Sequence, residues 1–116
     1  MYNDFSLAGN RQLDEYFAFK VMKWTIDEES GRYNTENGLL HKSYWRPTYS
    51  IADTWKLLDK AQDLYVLNFT LERNYCLAEM TFKAIFTNVD GIHFSAIGWT
   101  AQEAICKALY KFLESI

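Results

Sequence analysis

The stretch Tyr75-Cys76-Leu77-Ala78-Glu79-Met80-Thr81-Phe82-Lys83-Ala84-Ile85-Phe86 decides the fold. Its even positions are all apolar, while Glu79, Thr81 and Lys83 fall on odd ones, which is the two-residue period of a strand with unlike faces. The reading is the central strand of a small sheet. Small Cys76, Ala78 and Ala84 between larger residues leave room for a helix to lie close on the apolar face.

The neighbouring segments supply the rest of that sheet. Tyr65 to Leu71 alternates, with Tyr65, Leu67, Phe69 and Leu71 on one face and Val66, Asn68 and Thr70 on the other. Glu72-Arg73-Asn74 reads as the turn into the central strand. Asn88-Val89-Asp90-Gly91 reads as the turn out of it, and Ile92 to Gly98 as the third strand. An antiparallel meander is the simplest pairing.

Helices flank the strands. Asn10 is a suitable cap for a first helix with Leu13, Phe17, Val21 and Trp24 on one stripe. Ser50 with Asp53 opens a second, whose stripe is Ile51, Trp55, Leu58 and Ala61, ending near Gln62 or Asp63. Thr100-Ala101-Gln102-Glu103 is a capping box for a third, with Ala104, Ile105, Ala108, Leu109, Phe112 and Ile116 apolar. Trp24 and Trp99, each at an element end, are read as core. Residues 1–9 read as an irregular lead-in. Thr25 to Pro47 reads as a long surface connection with one hairpin, strands falling at Arg32–Tyr33 and Leu39–Tyr44. The expected architecture is α+β, with helices near 10–24, 50–62 and 100–115 and an antiparallel sheet of three to four strands, all in one domain over residues 1–116.

Composition narrows the function classes. The 116 residues include eight Phe, eight Tyr and four Trp, more rings than a core this small buries, so several are expected at a ligand pocket or an interface. A net charge of −3 weighs against DNA or RNA as a partner. No segment has the length and apolarity of a membrane span or a secretory signal, so a cytoplasmic location is expected. Cys76 and Cys106 are read as reduced core thiols, and with His41 and His93 they make no metal-ligand spacing. Neither a metal nor a cofactor is expected.

Two constellations are candidate ligand sites. Tyr44, Trp45, Arg46 and Tyr49 put rings and a guanidinium beside a helix start, where a base could stack and a phosphate could pair. The competing reading has Trp45 and Tyr49 anchoring the loop to the core, with Arg46 on an acidic neighbour such as Asp53. On the polar sheet face, Glu79, Thr81, Lys83 and His93 stand with Asn68, Thr70 and Ser95 on adjacent strands, either around a ligand or open to water. No nucleophile motif or phosphate-cradling glycine loop is present, so no catalytic residue is assigned; His93 as a general base is the enzymatic alternative.

Three segments carry a family resemblance. Leu13-Asp14 with Ala18 and Val21-Met22-Lys23-Trp24, then Trp45-Arg46-Pro47-Thr48-Tyr49-Ser50-Ile51-Ala52-Asp53-Thr54-Trp55, then Thr100-Ala101-Gln102-Glu103-Ala104-Ile105-Cys106-Lys107-Ala108-Leu109, together resemble the phage ABA sandwich domain. The chain departs from the pattern at Lys23, where a glycine is common, and in a shorter segment between the second helix and the sheet. The resemblance implies an α-β-α sandwich and a bacteriophage or prophage origin, and it implies no established activity. The expected role is a small phage-encoded binding protein without turnover, an anti-defence protein sequestering a cyclic-nucleotide or ADP-ribose type of host immune signal. A protein-interaction module inhibiting a host protein is the alternative, and a small hydrolase using His93 ranks below both. Exposed sheet edges and surplus rings lead to an expected homo-oligomer.

Overall fold

The computed structural model describes residues 10–76 and 79–116, without the side chains of 74–76, 79 and 80. The expected lead-in over 1–9 therefore lies outside the described residues, as do Leu77 and Ala78.

Helix α1 (Arg11–Lys20) starts where Asn10 accepts a hydrogen bond from the Leu13 N–H at 3.1 Å. It ends earlier than its apolar stripe. Val21 caps it, and Lys23 turns the chain with φ at 62°. That left-handed conformation accounts for the glycine common there in the resembling family. Three short strands follow, β1 (Thr25–Ile26), β2 (Tyr33–Thr35) and β3 (Gly38–Leu40), which form one antiparallel sheet in that order. The region expected to hold one hairpin thus gains a strand, and the expected boundaries shift: Thr35 pairs with Gly38 across a two-residue Glu36-Asn37 turn. A 3-10 turn at Lys42–Tyr44 leads to α2 (Ile51–Tyr65), capped by Ser50.

Helix α2 continues through Tyr65, whose ring packs edge-on against Phe112 at 5.3 Å, so Tyr65 belongs to the helix and not to a strand. Its buried residues are Asp53, Thr54, Leu57, Leu58 and Ala61. Ile51 and Trp55, expected in the core, sit beside that stripe at 40% and 43% exposure.

The main sheet runs β4 (Asn68–Cys76), β5 (Glu79–Thr87), β6 (His93–Gly98), all antiparallel. The expected turn at Glu72-Arg73-Asn74 is corrected, since those residues pair inside β4 with Lys83, Phe82 and Thr81. Strand pairing overrode a composition suited to a turn, and the expected central strand from Tyr75 divides between β4 and β5. Its core face survives: Ala84 and Phe86 are fully buried, beside Ala96 of β6.

Helix α3 (Ala101–Ser115) lies along β5 and β6, capped by Thr100. Gly98 makes the close approach possible, because a Cβ there would stand 2.7 Å from the Ala104 nitrogen. Along β6, Lys107 and Lys111 of α3 donate to the carbonyls of Ile97 (3.2 Å) and Ser95 (2.8 Å). Cys106 is a free, fully buried thiol, while Trp99 and Ile116, read as core, are exposed at 57% and 65%. Three helices with two antiparallel three-stranded sheets make the α+β class that the sequence led us to expect.

Candidate functional site

A cleft of about 600 Å³ lies between the β2–β3 hairpin and one side of α2. The hairpin bank is locked locally: Thr35 Oγ1 donates to the Gly38 carbonyl at 2.8 Å and accepts from the Asn37 N–H at 3.1 Å. Its tip is also fixed to the core, because the Trp24 indole N–H donates to Glu36 Oε2 at 3.1 Å. On the facing bank, Asp53, Lys56, Lys60 and Asp63 recur at helical spacing and all line the cleft with Asp59. Trp24 and Trp45, packed edge to face at 4.8 Å, are the buried aromatic floor. Tyr44 and Leu39 stay exposed at 73% and 51%.

Charge divides across this space. The Glu36 carboxyl is held below its ordinary value by a backbone N–H, by the Trp24 indole and by the nearby Lys60 ammonium. Lys56 stands 3.9 Å from Asp53. Four carboxylates (Glu36, Asp53, Asp59, Asp63) and two ammoniums (Lys56, Lys60) thus surround an aromatic floor. Such a lining can stack a flat apolar group, accept hydrogen bonds from hydroxyls and pair with a limited negative charge.

The expected cluster at 44–49 separates into two parts. Trp45 is 1% exposed and donates its indole N–H to the Asp14 carbonyl at 2.9 Å, so it anchors the loop. Asp14 in turn accepts from the Thr48 N–H (2.9 Å) and Oγ1 (2.8 Å). Burial pushes the Asp14 carboxyl above its ordinary value, against the opposing pull of those bonds and of Arg11 and Arg46. Tyr44 and Trp45 line the cleft, whereas Arg46 and Tyr49 do not. The Arg46 guanidinium lies over the Tyr49 ring, 4.6 Å from its centroid, and it is the Arg46 main-chain N–H that reaches Asp53.

The sheet-face candidates are dispersed. His93 pairs with Thr87 at one end of β5, and its Nδ1 hydrogen-bonds Thr87 Oγ1 at 2.8 Å. Lys83 lies opposite Glu72 and Ile97, and Thr81 opposite Asn74. Glu79 pairs with Cys76 at the far end, eight residues from Thr87 and so about 27 Å away at strand rise. Its side chain lies outside the described residues. His93 and Glu79 therefore do not share one site, and no carboxylate bonds His93 among the described residues. Among those residues there is also no His, Cys, Asp or Glu cluster able to hold a metal, and no helix long and apolar enough to cross a membrane.

Sequence reasoning missed Glu36, Lys56, Asp59, Lys60 and Asp63. The α2 charges carried a readable signal, the three- and four-residue spacing on one helix face, but nothing in the sequence said which element faces them. Compared with known protein families, residues 15–110 match the model of the phage ABA sandwich domain. No curated protein and no solved structure matches the chain.

Proposed function

Because the chain belongs to the phage ABA sandwich domain family, we propose that it is a small phage protein which binds a nucleotide-type molecule in the hairpin–α2 cleft without turning it over. The single observation that supports this reading is the lining: exposed Tyr44 and the tryptophan floor for a base, carboxylates for ribose hydroxyls, and the Lys56–Lys60 pair for a phosphate. A cleft of about 600 Å³ is within the usual range for small-molecule sites. In this reading the protein acts against host defence by retaining a cyclic-nucleotide or ADP-ribose type of signal, lowering its free concentration by mass action alone. The full span of residues 1–116 works as one domain.

Native mass spectrometry tests it on protein purified from bacteria with and without an active nucleotide-signalling defence. A small molecule retained only from the signalling cells, and released intact on denaturation, is the expected result. Lys56→Ala or Lys60→Ala alone should then weaken its binding by on the order of ten- to a hundredfold, since each ammonium–phosphate bond carries about 1.5–3 kcal/mol. Empty protein in both preparations removes the reading.

A second reading, inhibition of a host protein, is favoured by a different observation: Tyr49, Trp55 and Trp99 are exposed at 54%, 43% and 57%, and exposed rings of this kind anchor protein interfaces. Loss of a defined host complex on Trp55→Ala or Trp99→Ala, with no small molecule retained, would select it. The hydrolase alternative through His93 predicts consumption of a substrate that His93→Ala abolishes.

A further inference from the structure

The Arg46–Tyr49 pair stands apart from the cleft and is incompletely satisfied. Arg46 is half-buried, its Nε is buried without any hydrogen-bond partner, and its guanidinium forms no ion pair among the described residues. Asp53, the neighbour the sequence offered as its counter-ion, is engaged instead by the Arg46 main-chain N–H and by Lys56. Arg46 also acts electrostatically on Asp14, which the Thr48 donors and Arg11 already serve. Arg11, Arg46 and Asp14 thus leave one positive charge in surplus.

The platform under that charge is held in place. Tyr49 is exposed at 54% while its backbone is fixed on both sides, the N–H on the Arg46 carbonyl (3.0 Å) and the carbonyl on the Gln102 side chain (2.8 Å). A guanidinium stacked on a fixed ring keeps its planar fork of donors oriented at little further entropic cost, which is the arrangement that suits a two-pronged bond to an oxyanion.

We infer that Arg46 and Tyr49 form a second binding site, for a small oxyanion of the phosphate class. It is independent of the cleft. The guanidinium fork holds two phosphate oxygens, and the open part of the Tyr49 ring receives an aromatic ester group when the ligand carries one.

The probes are inorganic phosphate and phenyl phosphate, each titrated into the ¹⁵N-labelled full chain against chloride at equal ionic strength. Phosphate is expected to move the Arg46 Nε–H resonance and raise the melting temperature beyond the chloride control. Arg46→Lys, which keeps the charge and loses the fork, should bind on the order of tenfold more weakly. Tyr49→Ala should lose any preference for phenyl phosphate in the ligand-induced shift of the Arg46 Nε–H resonance. Phenyl phosphate binding more tightly assigns the site to a ring-bearing ester; equal affinity assigns it to the bare oxyanion. An unmoved Nε–H in the wild type, or full affinity in Arg46→Lys, overturns the inference and leaves Arg46 as a counter-charge to Asp14.

Discussion

Val66 closes α2 with φ at 51° while its side chain is 68% exposed, and no sequence signal marks it. A β-branched residue there pays for a conformation that glycine adopts freely, at about 1–2 kcal/mol. Val66→Gly should therefore raise stability by about 1 kcal/mol in urea unfolding, part of the relief being offset by glycine's unfolded-state entropy. Lys23→Gly should act in the same direction and more weakly, Lys not being branched; the departure from a common glycine was visible in the sequence, the left-handed conformation at Lys23 was not. Two carboxyls set opposite pH responses. Asp14 has a raised pKa, so its contribution is full below 3.8 and is lost as pH rises through the folded value. Asp14→Asn should remove that decline, improving relative to wild type from pH 3.5 to 7. Glu36 has a lowered pKa, so its contribution is present above 4.5 and lost as pH falls through the folded value. Glu36→Gln should flatten the acid limb of the same profile.

Among the elements, the joint between β6 and α3 is the least tolerant. A Cβ at position 98 would stand 2.7 Å from the Ala104 nitrogen and 2.9 Å from two Glu103 side-chain carbons. Because the backbone of α3 cannot yield as a side chain would, Gly98→Ala should cost about 1–3 kcal/mol, read as a lowered urea midpoint. All three helix starts were legible, since Asn10, Ser50 and Thr100 are each caps bonded three residues on. The ends were not, because packing decided them, as Tyr65 on Phe112 shows. Glu72 and Arg73 resembled a turn for the same reason that they suit an outer strand: both side chains face water, and Arg73 lies 5.7 Å from the Phe82 ring centroid. The alternation in β5 read its faces correctly, yet alternation says nothing about where a neighbouring strand stops.

The whole molecule brings together what the chain keeps apart. The cleft joins residues 35–40 to residues 53–63 over a floor from 22–24 and 45, so its lining depends on how α2 and the hairpin pack and could not be read from spacing. The sheet face was the converse case: register placed the expected group along a whole strand instead of around a point. At this scale the lysines of α3 have one more consequence. Lys107 and Lys111 occupy the Ile97 and Ser95 carbonyls of β6 and place two ammoniums along that edge, whereas β4 pairs only with β5 among the described residues. Lys107→Ala/Lys111→Ala should shift sedimentation toward larger, polydisperse species. An open sheet with one edge screened in this way can extend through its other edge only once, which limits strand addition to a pair and works against growth into a fibre.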